Sequence, residues 1–189
     1  PASSKGLKNI FVTNGYITPE ALDIISPYLD GANVDLKYFS DKSYQKVCGG
    51  RLDPVLETIK KMKDLGIWVE VTTLIIPGEN DSNGELTNIA EFIYSVDSAM
   101  PWHISAFTPR YKYSDRRATG IELLRKAQKI GRAAGLKYIY MGNITAEPDT
   151  LCPSCGESLI SRSGFRVKTN NIKSGKCAGC GQNIEGVWE

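Results

Sequence analysis

Four of the five cysteines stand as two matched knuckles near the carboxyl end, and nothing else limits the folds open to this chain so sharply. Cys152-Pro153-Ser154-Cys155-Gly156 and Cys177-Ala178-Gly179-Cys180-Gly181 are each a C-x-x-C followed by glycine. Two thiolates three positions apart grip one ion if the backbone between them turns tightly. The following glycine lets backbone amides point at the sulfurs without a side-chain clash. Two such knuckles face to face make a closed site of four sulfurs, which suits zinc and is structural. Rubredoxin-type iron, a second iron–sulfur cluster and a disulfide pair are the other readings of the same four residues. A closed tetrathiolate holds a fold together and has no open position for chemistry, so it identifies a module and not an activity.

At 189 residues the chain has room for one domain of about 150 residues and a small appendage. The larger part can bury an adequate core. The segment around the knuckles cannot, so metal binding there is largely folding energy. The formal charge of +2, from 23 basic and 21 acidic residues, argues against a dedicated nucleic-acid or membrane-surface protein. No run of 18 apolar residues and no signal peptide is present. Paired C-x-x-C without another cysteine framework reads as a reducing, cytoplasmic setting. Cys48, beside Gly49-Gly50, reads as incidental.

Residues 1–145 alternate short apolar runs with capped helical patterns. Strands are expected at Asn9–Thr13, Ala32–Tyr38, Ile67–Ile76, Trp102–Phe107 and near Lys137–Met141. Helices are expected from Pro19 to about Leu29 with Thr18 as N-cap, and from Asp53-Pro54 to Gly66. Two more open at Ser82-Asn83-Gly84-Glu85 and Thr119-Gly120-Ile121-Glu122, both written as capping boxes. Asp41-Lys42-Ser43-Tyr44 reads as a turn. Such alternation builds an α/β fold with a parallel sheet. No G-x-G-x-x-G or phosphate loop supports nucleotide binding through a Rossmann turn. From Thr145 the composition turns polar, marking a linker into a second unit, residues 146–189.

In parallel sheets, sites gather at the carboxyl ends of strands. Those ends carry Thr13-Asn14-Gly15, Asp35-Leu36-Lys37, Thr72-Thr73-Leu74 and His103-Ile104-Ser105. Alternation places Asp35 and Lys37 on one face, groups Glu70, Thr72 and Leu74, and separately groups His103, Ser105 and Phe107. A carboxylate, an ammonium and an imidazole together suit a ligand bearing both an ammonium and a carboxylate. The bland reading is a strand-end ion pair between Asp35 and Lys37, with a single structural histidine. No hydrolytic triad, carboxylate pair or HExxH can be assembled.

Thr13-Asn14-Gly15-Tyr16, Asp35-Leu36-Lys37, Leu74-Ile75-Ile76-Pro77-Gly78 and His103-Ile104-Ser105-Ala106-Phe107-Thr108-Pro109 resemble radical S-adenosylmethionine (SAM) enzymes of the pyruvate formate-lyase activating type. Tyr138-Ile139-Tyr140-Met141-Gly142-Asn143-Ile144, the two knuckles and Gly186-Val187-Trp188 resemble the AmmeMemoRadiSam-system members of that family. The resemblance implies a partial (β/α)6 barrel over residues 1–145 followed by a zinc ribbon. It implies a 4Fe–4S cluster that binds and reductively cleaves SAM, starting radical chemistry on a substrate the motifs do not specify, which can be a partner protein. It places Asn14, Asp35, Lys37 and His103 along the SAM pocket, with Leu74 near the adenine. The family's CxxxCxxC loop and GGE stretch are absent from these 189 residues. The expectation is therefore the later strands of a longer enzyme, inactive alone, with an exposed strand edge at Asn9–Thr13 through which it self-associates. The alternative is a non-catalytic zinc-ribbon module that contacts a protein or nucleic acid through Arg162, Arg166, Lys168, Lys173 and Lys176.

Overall fold

A computed structural model describes residues 2–144, 149–164 and 166–188. The expected boundary at 145/146 lies outside them. Five parallel strands, β1 (Ile10–Thr13), β2 (Gly31–Asp35), β3 (Trp68–Ile75), β4 (Trp102–Ala106) and β5 (Ile139–Gly142), lie side by side in chain order. The crossovers carry α1 (Pro19–Ile25), α2 (Asp41–Ser43), α3 (Asp53–Asp64), α4 (Asn83–Val96) and α5 (Ile121–Ala133). A monotonic strand order with crossovers of one hand puts every helix on one face. The burial pattern agrees. Val34, Val71, Ile75, Trp102 and Ile104 are buried under the helices, while Asn33, Glu70, Thr72, His103 and Tyr140 on the other face are half-buried. A doubly wound sheet would bury both faces. This alternation instead belongs to a barrel wall whose inner surface is polar and open.

Local chemistry explains most element boundaries. Thr18 caps α1 by accepting from the Ala21 amide, with Pro19 in its first turn. At Pro27, which has no N–H to give, the helix tightens into a 3-10 turn over Ser26–Tyr28. Several expectations give way to longer-range partners. Strand β2 ends at Asp35, so Lys37 stands beyond it. Asp53 is not the cap of α3; it lies in the first turn, after Leu52. Asp41 opens a helical turn that runs on as a π-helical segment, Tyr44–Cys48, in place of a simple turn.

Ser82 does cap α4, but the Glu85 side chain accepts from the Phe39 amide instead of closing the box. The box at Thr119 does not form at all. Its hydroxyl donates to the Ile75 carbonyl and accepts from the Phe107 amide, tying the end of β3 to the end of β4.

The cysteine-bearing unit holds the antiparallel strands β6 (Thr150–Leu151), β7 (Ser158–Ser163) and β8 (Arg166–Asn170), and the pair β9 (Ile172–Lys173) and β10 (Lys176–Cys177). Its small core joins Cys152, Leu159, Cys177 and Ile184 to Ala99 and Tyr138 of the barrel part. Glu185 binds Lys137 at 2.5 Å and the Tyr138 hydroxyl at 2.8 Å, fastening the tail to β5. Among the described residues no helix is long and apolar enough to cross a membrane.

Candidate functional site

The Asn14 turn follows β1. The Thr13 hydroxyl accepts from Gly15 N at 3.1 Å and Asn14 Oδ1 from Tyr16 N at 3.0 Å. Gly15 sits at φ +70°, and a Cβ there would stand 2.7 Å from Val34 Cγ1, so only glycine lets the turn close against β2. Asp35 and Lys37 form the strand-end ion pair, Nζ to Oδ2 at 2.7 Å, each roughly a third or more exposed. Lys37 N donates to the Tyr44 hydroxyl at 3.1 Å.

Asn80, which the sequence reading passed over, holds this corner together. Buried almost completely, it donates to the Lys37 and Leu74 carbonyls at 2.8 and 2.9 Å and accepts from Ile76 N at 2.7 Å. Asn14, Lys37 and Leu74 thus line one cavity of about 480 Å³, shared with Tyr38, Cys48 and Asn80.

His103 lies elsewhere. Its Nε2 stands 2.7 Å from Glu70 Oε2, and its ring stacks on Tyr140 at 5.2 Å between centroids. Trp68 Nε1 donates to the other Glu70 oxygen at 3.0 Å. Burial raises the Glu70 carboxyl, but the hydrogen bonds from His103 and Trp68 outweigh it and hold the group below its ordinary value. These side chains line a second cavity of about 790 Å³ near the amino ends of the strands. The cysteine-bearing unit closes its far wall with Thr150, Ile160, Arg162 and Trp188. The five residues expected in one pocket are therefore divided: Asn14, Lys37 and Leu74 share one cavity, Asp35 joins them through Lys37, and His103 faces the other.

The four ribbon sulfurs converge. All four Sγ atoms lie within 4.8 Å of one another, with Cys152 to Cys180 at 3.7 Å and Cys155 to Cys177 at 3.8 Å. A tetrahedral ion with metal–sulfur bonds of about 2.3 Å needs sulfur–sulfur edges of about 3.8 Å. A disulfide needs about 2.05 Å, so the disulfide reading does not describe these free cysteines. The knuckles are twins: Gly156 and Gly181 both sit at φ +76°, and their amides donate to the Cys152 and Cys177 carbonyls at 2.9 Å. Burial raises the Cys152 thiol, yet the Cys155 and Ser154 amides bring it down to about 7. These residues fit a single tetrahedral ion. They do not fit the radical SAM cluster, and neither does the solitary Cys48.

The open parallel sheet and its polar strand ends define part of a (β/α) barrel with a polar inner face. Residues 2–93, from before β1 into α4, match the radical SAM superfamily model. An uncharacterized protein of Methanocaldococcus jannaschii is 41% identical over 97% of this chain, and the chain spans 56% of that relative's length. Among solved structures, a domain of the pyruvate-formate lyase-activating enzyme from Bacteroides vulgatus superposes with a TM-score of 0.60 at 17% identity, over 75% of this chain and 84% of that one. Streptococcus suis SuiB bound to S-adenosylmethionine superposes with a TM-score of 0.56 at 12% identity, over 71% of this chain and 33% of its own. At these identities the superpositions establish the fold alone.

Proposed function

We propose that this chain is the later-barrel part of a radical SAM enzyme with a terminal zinc ribbon, related to the glycyl-radical activating and AmmeMemoRadiSam-system enzymes. The observation that carries the reading is the cavity at the strand ends. Asn14, Lys37 and Leu74 line it around main-chain groups fixed by Asn80, and Asp35 is paired to Lys37. On this reading Lys37 faces the SAM carboxylate, Asp35 its ammonium and Leu74 the adenine face, while His103 approaches the ligand from the second cavity. The 4Fe–4S cluster that supplies the electron for SAM cleavage in this superfamily would take its ligands from residues outside these 189.

The division between the barrel part, 1–145, and the ribbon, 146–189, belongs to the same reading. So does zinc as the ribbon's ion. Strand β1 forms the sheet edge with Ile10 68% and Val12 83% exposed, so the isolated chain self-associates there. Sedimentation of the wild type and of Val12→Lys checks this, with the variant expected to shift toward monomer.

The test of the enzyme reading is anaerobic assay of the native-length protein for SAM cleavage and iron, alongside Asp35→Ala and His103→Ala. Loss of 5′-deoxyadenosine formation in both variants is expected. An iron-loaded protein that forms none, or variants that match the wild type, refutes it. One observation favours a binding module: β8 is exposed along its whole length and carries Arg166 and Lys168. On that view charge reversal at Arg166 abolishes partner capture and leaves SAM binding unchanged.

A further inference from the structure

Two contacts fix the His103 ring, and a third fixes the carboxylate that makes one of them. Glu70 Oε2 holds Nε2 at 2.7 Å, Tyr140 stacks on the ring with only 25° between planes, and Trp68 Nε1 pins the second Glu70 oxygen at 3.0 Å. An ionised carboxylate only accepts, so Nε2 carries the proton that it receives. In the neutral ring Nδ1 is then the bare acceptor. Among the described residues it has no partner, on a side chain that is 31% exposed and lines the ribbon-walled cavity.

We infer that Glu70 is the positioning residue of His103: it fixes the Nε2–H tautomer and turns Nδ1 toward the cavity, so the ligand group recognised there is a hydrogen-bond donor, a hydroxyl or an amino group. The inference rests on the reading of this barrel face as a ligand site. It extends that reading from a residue that contacts the ligand to the one that sets its hydrogen-bonding sense.

The chain contains one histidine, so every imidazole signal in a histidine-labelled ¹⁵N spectrum comes from His103. At mildly alkaline pH the wild type is expected to show a downfield, slowly exchanging Nε2–H proton and an unprotonated Nδ1. Glu70→Gln keeps an accepting carbonyl and retains the Nε2–H resonance, shifted upfield as the charge is lost. Glu70→Ala loses it to rapid exchange while its amide spectrum stays dispersed. A protonated Nδ1 in the wild type overturns the inference, as does a Glu70→Ala spectrum with the Nε2–H resonance unchanged. If Glu70→Ala fails to fold, the wild-type tautomer and Glu70→Gln decide alone. Adding SAM to the wild-type sample separates the two claims. An Nδ1 shift unmoved by saturating SAM counts against His103 as a SAM contact and leaves the Glu70 role standing.

Discussion

Thr73→Val exchanges a hydroxyl for a methyl at a position with no solvent exposure, and its cost follows from two hydrogen bonds. Thr73 Oγ1 donates to the Leu36 carbonyl at 2.9 Å and accepts from Trp102 Nε1 at 3.0 Å. Valine keeps the shape and removes both, leaving a carbonyl and an indole N–H without partners in the core. Each such group costs about 1–3 kcal/mol. The added apolar methyl offsets about 0.8 kcal/mol, so the net loss is about 1–5 kcal/mol. For a chain of this length that lowers the melting midpoint by about 2–20 °C.

Urea unfolding followed by tryptophan fluorescence measures the cost directly, with Thr73→Ser as the control. Serine keeps the hydroxyl and gives up one methyl, about 1 kcal/mol. The expected order is counter-intuitive on shape alone, since valine, the better isostere, does more harm. If valine costs no more than serine, the hydroxyl bridge is not what joins β3 to its neighbours. The consequence reaches the site because Leu36 stands between Asp35 and Lys37, and its carbonyl is one tether on that corner.

Tyr38 offers the opposite sign: its hydroxyl is buried without a partner among the described residues, and burial pushes the phenol well above its ordinary value. Tyr38→Phe removes an unsatisfied group and should raise the melting midpoint by about 2–4 °C, for about 1 kcal/mol; a lower midpoint refutes this. Stripping metal from the ribbon, by chelator or Cys177→Ser, should unfold β6–β10 and leave the sheet intact, as read by amide exchange. The ribbon's own Leu159 and Ile184 supply about 1.5–3 kcal/mol each, against about 10–16 kcal/mol for a structural zinc site. Glu185 gives a pH test. Burial raises its carboxyl, but Lys137 and Tyr138 outweigh that and hold it below its ordinary value. A depressed folded pKa gives stability above the unfolded value of about 4.3 that is lost as pH falls through the folded one. The stability gap between wild type and Glu185→Gln should therefore close on acidification below about 4.

What the sequence made legible was local. Thr18-Pro19, the alternation along Trp68–Ile75 and the twin C-x-x-C-G knuckles each depend on residues within a few positions, and each appears in place. What it hid is the reassignment of polar side chains to distant partners. Thr119 and Glu85 both stand where a capping box would use them. Thr119 instead serves a carbonyl 44 positions away, and Glu85 an amide 46 positions away. A cap within one turn and a bond across the core compete for the same atom, and the buried partner with no alternative wins. Asn80 is a mixed case: Ile76 and Leu74 lie four and six positions away, and only the Lys37 carbonyl, 43 positions away, waits for β2 and β3 to pair.

The pairing of Glu70 with His103 shows why this matters for the site. Parallel register sets Thr72, not Glu70, directly opposite His103, so the contact is diagonal and spans 33 positions. Periodicity put Glu70 and His103 on the faces of their own strands but could not say which rung each occupies. The diagonal decides the chemistry: His103 shares its rung with Thr72 and Asp35, yet its ring meets Glu70 and lines a cavity whose far wall belongs to the ribbon. A tetrathiolate site that fastens Thr150, Arg162 and Trp188 in that wall is more than a clasp at the end of the chain. Without the ribbon's order, the cavity that His103 faces has only the barrel side left to define it.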